Sequence, residues 1–214
     1  MKTENRKQKT ENRKPDIRCL NDMRSVVFDK EWTKTAPNLE LYYMYRGLKE
    51  ENDLKYNITV IPARMLGEEF VKTKGHVHVG NYGEIYTVLE GEAIYLMQKT
   101  RDEVVEDVYA VKAKKGESVI IPSYYGHVTI NPLSVDLKTG DWSSKNCKSD
   151  YSLFERLNGA CYYYILRPEA STELSRMSSG QAGWVKNENY KSIPQLRFEE
   201  PLKSLPKDLS FLKG

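Results

Sequence analysis

Apolar and polar residues alternate over short stretches of this chain and nowhere keep a helical period, so strands are predicted throughout. The pattern is carried by Leu41–Tyr45, Asn57–Ile61, Glu84–Leu89, Glu92–Met97, Ser118–Ile121, His127–Ile130 and Cys161–Leu166. Each is rich in β-branched or aromatic residues, which fit a pleated, half-buried surface. Glu90-Gly91 and Lys115-Gly116 read as tight turns between strands. Many short strands with glycine turns argue for a sandwich or a closed barrel. A short helix or irregular segment is expected around Asn21–Thr35. The polar stretch between Pro132 and Gly159 reads as a long surface loop or insertion.

The ends differ from the middle. Lys2-Thr-Glu-Asn-Arg-Lys7 recurs as Lys9-Thr-Glu-Asn-Arg-Lys14 with no apolar residue in either copy. Residues 1–15 are therefore expected to form a disordered basic tail, since such a segment can bury nothing. Residues 16–170 would form the folded domain. Residues 171–214, with Pro194, Pro201 and Pro206 among charged residues, would form an extension packed on that domain or on a partner subunit. A chain of 214 residues suits one sizeable domain with such appendages.

Charge and cysteine usage narrow the partners. The net charge of +3 sits mostly in the first eighteen residues, too mild an excess to predict nucleic-acid binding. No apolar run approaches the ~18 residues of a membrane span, and the N-terminus lacks a secretion signal. Cys19, Cys147 and Cys161 are odd in number and widely spaced, giving neither a disulfide framework nor a CxxC site. A cytoplasmic protein with no membrane or nucleic-acid partner is expected.

The candidate chemistry lies in the histidines. The chain has three, and two form His76-Val-His78, where strand alternation puts both rings on one face. Glu84 follows six residues after His78, and His127 opens a later strand. Three imidazoles and a carboxylate suit a first-row divalent ion with one or two coordination positions left open.

These residues resemble both motifs of the cupin superfamily. His76, His78, Glu84 and Gly91 match the first motif, and Gly116, Pro122, His127 and Asn131 match the second. Two glycines of the motifs are replaced, by Phe70 and Tyr124. The resemblance implies an all-β double-stranded β-helix, a cupin or jelly-roll barrel, with a few peripheral helices and long terminal segments. Within that superfamily the chain resembles the cupin-type glucose-6-phosphate isomerases of archaea and some bacteria. The most specific stretch is Phe70-Val-Lys-Thr-Lys-Gly-His-Val-His78, with weaker matches at Leu20–Met23, Tyr42–Tyr45 and Thr59-Val.

The family resemblance implies one divalent ion per subunit on His76, His78, Glu84 and His127, Fe²⁺ first, with Mn²⁺, Ni²⁺, Zn²⁺ and Co²⁺ as alternatives. It also implies a homodimer acting on a sugar phosphate in glycolysis and gluconeogenesis. Interconversion of glucose 6-phosphate and fructose 6-phosphate moves a proton between C1 and C2 through a cis-enediol, with Glu84 as the catalytic base; in a hydride-shift variant Glu84 would only hold the ion. Thr59, Thr73 and the Gly75 N–H are the phosphate donors so implied, and Tyr42 and Tyr86 line the sugar pocket. The family's later His and Tyr phosphate ligands have no match near Arg167–Leu174, so Lys74 or Arg167 would supply positive charge. Competing readings are another sugar-phosphate isomerase, a non-haem iron dioxygenase, and a non-catalytic sugar-binding cupin.

Overall fold

The computed structural model describes residues 13–167 and 181–214. The chain opens with β1 (Asp16–Cys19), two single 3-10 turns (Leu20–Asp22 and Arg24–Val26) and α1 (Lys30–Thr35). Then come β2 (Glu40–Glu51), β3 (Leu54–Ile61), β4 (Met65–Leu66), β5 (Glu69–Phe70), β6 (Val77–Val79), β7 (Glu84–Glu90) and β8 (Glu92–Arg101). They are followed by β9 (Val104–Lys114), β10 (Ser118–Ile121), β11 (Gly126–Ile130), β12 (Leu137–Ser144), β13 (Lys148–Asp150) and α2 (Ser152–Arg156). The chain closes with β14 (Tyr162–Arg167), β15 (Gln181–Lys186), β16 (Arg197–Glu199) and a 3-10 turn at Ser210–Leu212.

Two principal sheets, ordered β1-β2-β3-β12-β7-β10 and β11-β8-β9-β16, share one hydrophobic core. Leu41, Ile61, Val88 and Ile121 enter it from the first sheet, and Tyr95, Met97, Val128 and Ile130 from the second. Burial of such side chains contributes about 1.5–3 kcal/mol each, which is why the strand faces point as they do. The β6–β13 pair and the sheet β15-β14-β5-β4 flank them. This is the all-β double-stranded β-helix of the cupins, with short helices at its periphery.

Each strand predicted from alternation is present, but several were not predicted, two of them central to the principal sheets. β9 pairs with β8 along its whole length, from Glu92↔Lys114 to Arg101↔Val104. Its Val-Val-Glu-Asp-Val-Tyr-Ala-Val run breaks strict alternation and so gives no clear period. The larger correction concerns residues 132–159, which are not a surface loop. β12 runs through the middle of the six-stranded sheet, pairing with β3 on one side and β7 on the other. Its buried Thr139, Asp141 and Ser143 are polar, so the strand carries no hydrophobic signal. α2 lies in the same stretch and buries Phe154 completely.

The described part of residues 171–214 runs along the domain. β15 pairs with β14, β16 adds in parallel to β9, and Leu202 bridges Ser118. Leu212 is fully buried against Leu54 and Ile85 in a second, smaller core. Of the predicted basic tail, residues 1–12 lie outside the described residues. Arg13 donates from its guanidinium to the Arg46 carbonyl at 2.8 Å.

The predicted turns at Gly91 and Gly116 take φ of +81° and +91°, as such turns require. Tyr124, standing where the cupin motif has glycine, takes φ of +68° and is 57% exposed. An L-residue held there costs about 1–2 kcal/mol, and little packing is lost on removing an exposed ring. Tyr124→Gly is therefore expected to stabilise the protein by about 0.5–1 kcal/mol, the gain being trimmed by glycine's freedom in the unfolded chain. Urea unfolding of the two proteins side by side measures it.

Candidate metal centre and ligand cavity

Four side chains converge between the two sheets. The backbones of His76 and His127 form an antiparallel bridge, with His127 N–H donating to His76 O at 3.0 Å and His76 N–H to His127 O at 3.3 Å. His78 sits two residues on, and the turn Gly80–Gly83 returns the chain so that β7 begins at Glu84. The ligand atoms of His76, His78, Glu84 and His127 all lie within 4.8 Å of one another. His78 Nδ1 donates to the Tyr82 carbonyl at 3.1 Å, which turns Nε2 toward Glu84.

The donor set fits a divalent cation. Glu84 Oε2 lies 3.3 Å from His127 Nε2 and 3.4 Å from His78 Nε2, yet it is buried with no hydrogen-bond partner. A buried, unpartnered carboxylate oxygen among imidazoles is what a bound ion would satisfy. Burial would raise the Glu84 pKa, but His127 and His78 outweigh it and hold the carboxyl well below its ordinary range. Burial keeps His76 well below the usual imidazole value, and His127 is lowered by burial as well, so both are neutral and ready to ligate. Burial opposes charge on His78 too, but its contacts with Cys147 and Glu84 push it up to about 10. An ion at this point would take the place of that proton.

The cluster opens into a cavity. Tyr42, Thr59, Thr73, Gly75 and Tyr86, the residues expected to bind substrate, all line it. Tyr42 Oη accepts from the Lys74 N–H at 3.2 Å, Thr73 Oγ1 accepts from the Thr129 N–H at 2.9 Å, and Tyr86 Oη lies 3.4 Å from His127 Nε2. Lys74 also lines the cavity, its ammonium 2.5 Å from Glu155 and 5.5 Å from the centre of the Tyr151 ring. The Arg18 guanidinium lies 5.6 Å from the centre of the same ring, so two cations meet around Tyr151. The Arg167 side chain and Ser171–Leu174 lie outside the described residues.

Several lining residues gave no sequence signal. Asn57, Asp141, Ser143, Cys147 and Tyr151 form one wall of the cavity, and four of the five come from the stretch expected to be a loop. Tyr151, whose ring centre is 5.5 Å from that of His76, is a lone aromatic in a polar run. The pairings of β12 with β7 and of β13 with β6, where Ser149 faces His78, bring that run to the site. Among the described residues no helix is long and apolar enough to cross a membrane.

Comparison with known proteins identifies the family of the chain. The glucose-6-phosphate isomerase from Thermococcus litoralis is 32% identical over 127 residues, 56% of this chain and 65% of that protein. The one from Pyrococcus furiosus is 30% identical over 127 residues, again 56% and 65%. The matched region thus spans just under two thirds of the relatives' length. Among solved structures, an oxalate oxidase in complex with the substrate analogue glycolate is 16% identical, covering 55% of this chain and 57% of that chain, with a TM-score of 0.42. The family model described as "Glucose-6-phosphate isomerase (GPI)" matches residues 17–179, a span that contains all four converging side chains and the cavity around them. With that match over most of its length and a cupin fold beneath it, the chain belongs to the glucose-6-phosphate isomerase family.

Proposed function

We propose that the protein is a metal-dependent aldose–ketose isomerase that interconverts glucose 6-phosphate and fructose 6-phosphate. The observation that carries this reading is the convergence of His76, His78, Glu84 and His127 at the head of a cavity whose wall holds Lys74, Thr59 and Thr73. A divalent ion bound by the four, Fe²⁺ first among the candidates, would act as a Lewis acid for the two adjacent sugar oxygens at C1 and C2.

The chain's own groups have distinct tasks. Lys74, with the hydroxyls of Thr59 and Thr73 and the N–H of Gly75, binds the phosphate, because a fixed cation beside neutral donors suits a dianion. Tyr42 and Tyr86 orient the carbon chain between that end and the metal-binding cluster. Glu84, ionised in spite of its burial, takes the proton from one of the two carbons and returns it to the other through a cis-enediol. The same reading makes the protein a homodimer, with Phe198, Leu202 and Leu205, exposed on the C-terminal segment, supplying the contact surface.

Chelator treatment is the direct test. Stripped protein should lose turnover of fructose 6-phosphate and regain it on addition of Fe²⁺, Mn²⁺, Co²⁺, Ni²⁺ or Zn²⁺, followed by coupled formation of glucose 6-phosphate. Full activity in metal-free protein would end the proposal. Oxygen uptake with loaded protein would indicate a dioxygenase, and sugar-phosphate binding without turnover a binding protein.

A further inference from the structure

Lys74 is the cation assigned to the phosphate, yet its ammonium already has a partner, with Glu155 Oε1 2.5 Å away. The two members of this pair are unlike. The Lys74 side chain is 10% exposed and that of Glu155 47%, so the base is enclosed by protein while the acid stands half in water. Lys74 is among the residues lining the cavity, and Glu155 is not.

The short helix α2 fixes where the acid stands. Phe154 is fully buried and packs on Gly75, where an added Cβ would lie 2.6 Å from its ring, and Arg156 pairs with Glu103. Glu155, between these two anchors, is thereby brought to Lys74, the neighbour of Gly75 in the chain. The Glu155 N–H donates to the Tyr151 carbonyl at 3.0 Å, closing one helical turn. Residues one turn apart share a face, and Tyr151 and Glu155 both meet the Lys74 ammonium. The Arg18 guanidinium flanks the same tyrosine, its Nε buried with no hydrogen-bond partner.

An enclosed ammonium is costly without an anion beside it, and Glu155 supplies one. A phosphate dianion arriving at the same ammonium meets that carboxylate as a like charge, and the two repel. Of the two anions, the half-exposed carboxylate is the one that water takes back at little cost. Its departure leaves Lys74 beside Arg18, two cations for a dianion.

We propose that Glu155 is a displaceable counter-ion of Lys74: a phosphate monoester binds by exchanging one ion pair for another, so Glu155 sets how tightly substrate is held and leaves the chemical step alone. The inference rests on the reading of Lys74 as the phosphate-binding cation. Glu155 acts through Lys74 and is a positioning residue. An ion pair with one member in water is worth up to about fivefold in an equilibrium, which bounds the effect.

The test is calorimetric titration of fructose 6-phosphate into chelator-stripped, full-length protein, where binding is read without turnover. Glu155→Gln keeps the shape of the side chain and removes its charge, and should bind about threefold to fivefold more tightly than wild type. In metal-loaded protein the same variant should show KM lowered by a similar factor and kcat within about twofold, the signature of a change in binding alone. A gain in affinity is not what loss of a structural contact produces. In a Lys74→Met background the gain from Glu155→Gln should vanish. Unchanged affinity in Glu155→Gln overturns the proposal. Weaker binding overturns it too, since Glu155 would then hold Lys74 in place for the substrate. A gain that survives in Lys74→Met likewise overturns it, since repulsion at a distance would then be the cause. Lys74→Met binding fructose 6-phosphate as tightly as wild type would instead bring down the assignment of the phosphate to Lys74, and this inference with it.

Discussion

Glu84→Gln is expected to lower kcat/KM for fructose 6-phosphate by about 10³-fold or more, with bound metal reduced as well. Two losses combine in that figure. A positioned general base contributes about 10²–10⁴-fold, and an amide cannot accept the carbon-bound proton. The substitution also removes the one negative ligand from a set that otherwise holds only imidazoles, so an ion would be held less tightly. Steady-state kinetics with metal in excess isolate the first loss, and elemental analysis measures the second. The proton route can be followed independently. Isomerisation in D₂O should place deuterium on the product, since an enediol exchanges with solvent, whereas a hydride shift leaves the product unlabelled. Near-normal kcat in a fully loaded Gln variant would confine Glu84 to holding the ion.

The second large effect concerns a glycine. Gly75 sits between Lys74 and His76 with φ of +84°, and a Cβ added there would lie 2.6 Å from both Phe154 Cδ1 and Val128 Cγ1. Backbone strain at positive φ and overpacking of a full core each cost roughly 1–3 kcal/mol. Gly75→Ala is therefore expected to destabilise the protein by about 3 kcal/mol, lowering Tm by about 10 °C in a domain of this size. Activity should fall further than stability accounts for, because relief of the clash moves Lys74 and His76 together. Calorimetry beside kinetics at a temperature where the variant is folded separates the two. A Tm within 2 °C of wild type would contradict the packing argument.

The ease with which the centre was found in the sequence reflects rarity. The chain has three histidines, and all of them meet at one point. Strands with an apolar face against the core were legible for the usual reason, that burial imposes alternation. β12 was not legible because the wall it presents is a polar cavity. Thr139, Asp141 and Ser143 face inward where a core strand would carry Val or Ile, so the rule that inward means apolar fails where the site lies. Tyr151 was lost with it. Tyr124 shows the converse. The missing glycine was visible, but the sequence could not say whether the turn had changed shape, and it has kept the left-handed backbone with a tyrosine in place.

The position of β12 between β3 and β7 bears on how the protein emerges from the ribosome. Strands that will be near neighbours in the finished sheet are made early, yet β7, which carries Glu84, has no partner on that edge until residue 144 has been synthesised. Ile85 waits longer still, for Leu212. The nascent polypeptide therefore carries His76, His78 and Glu84 before His127 and β12 exist, and the centre is gathered only after both have been made.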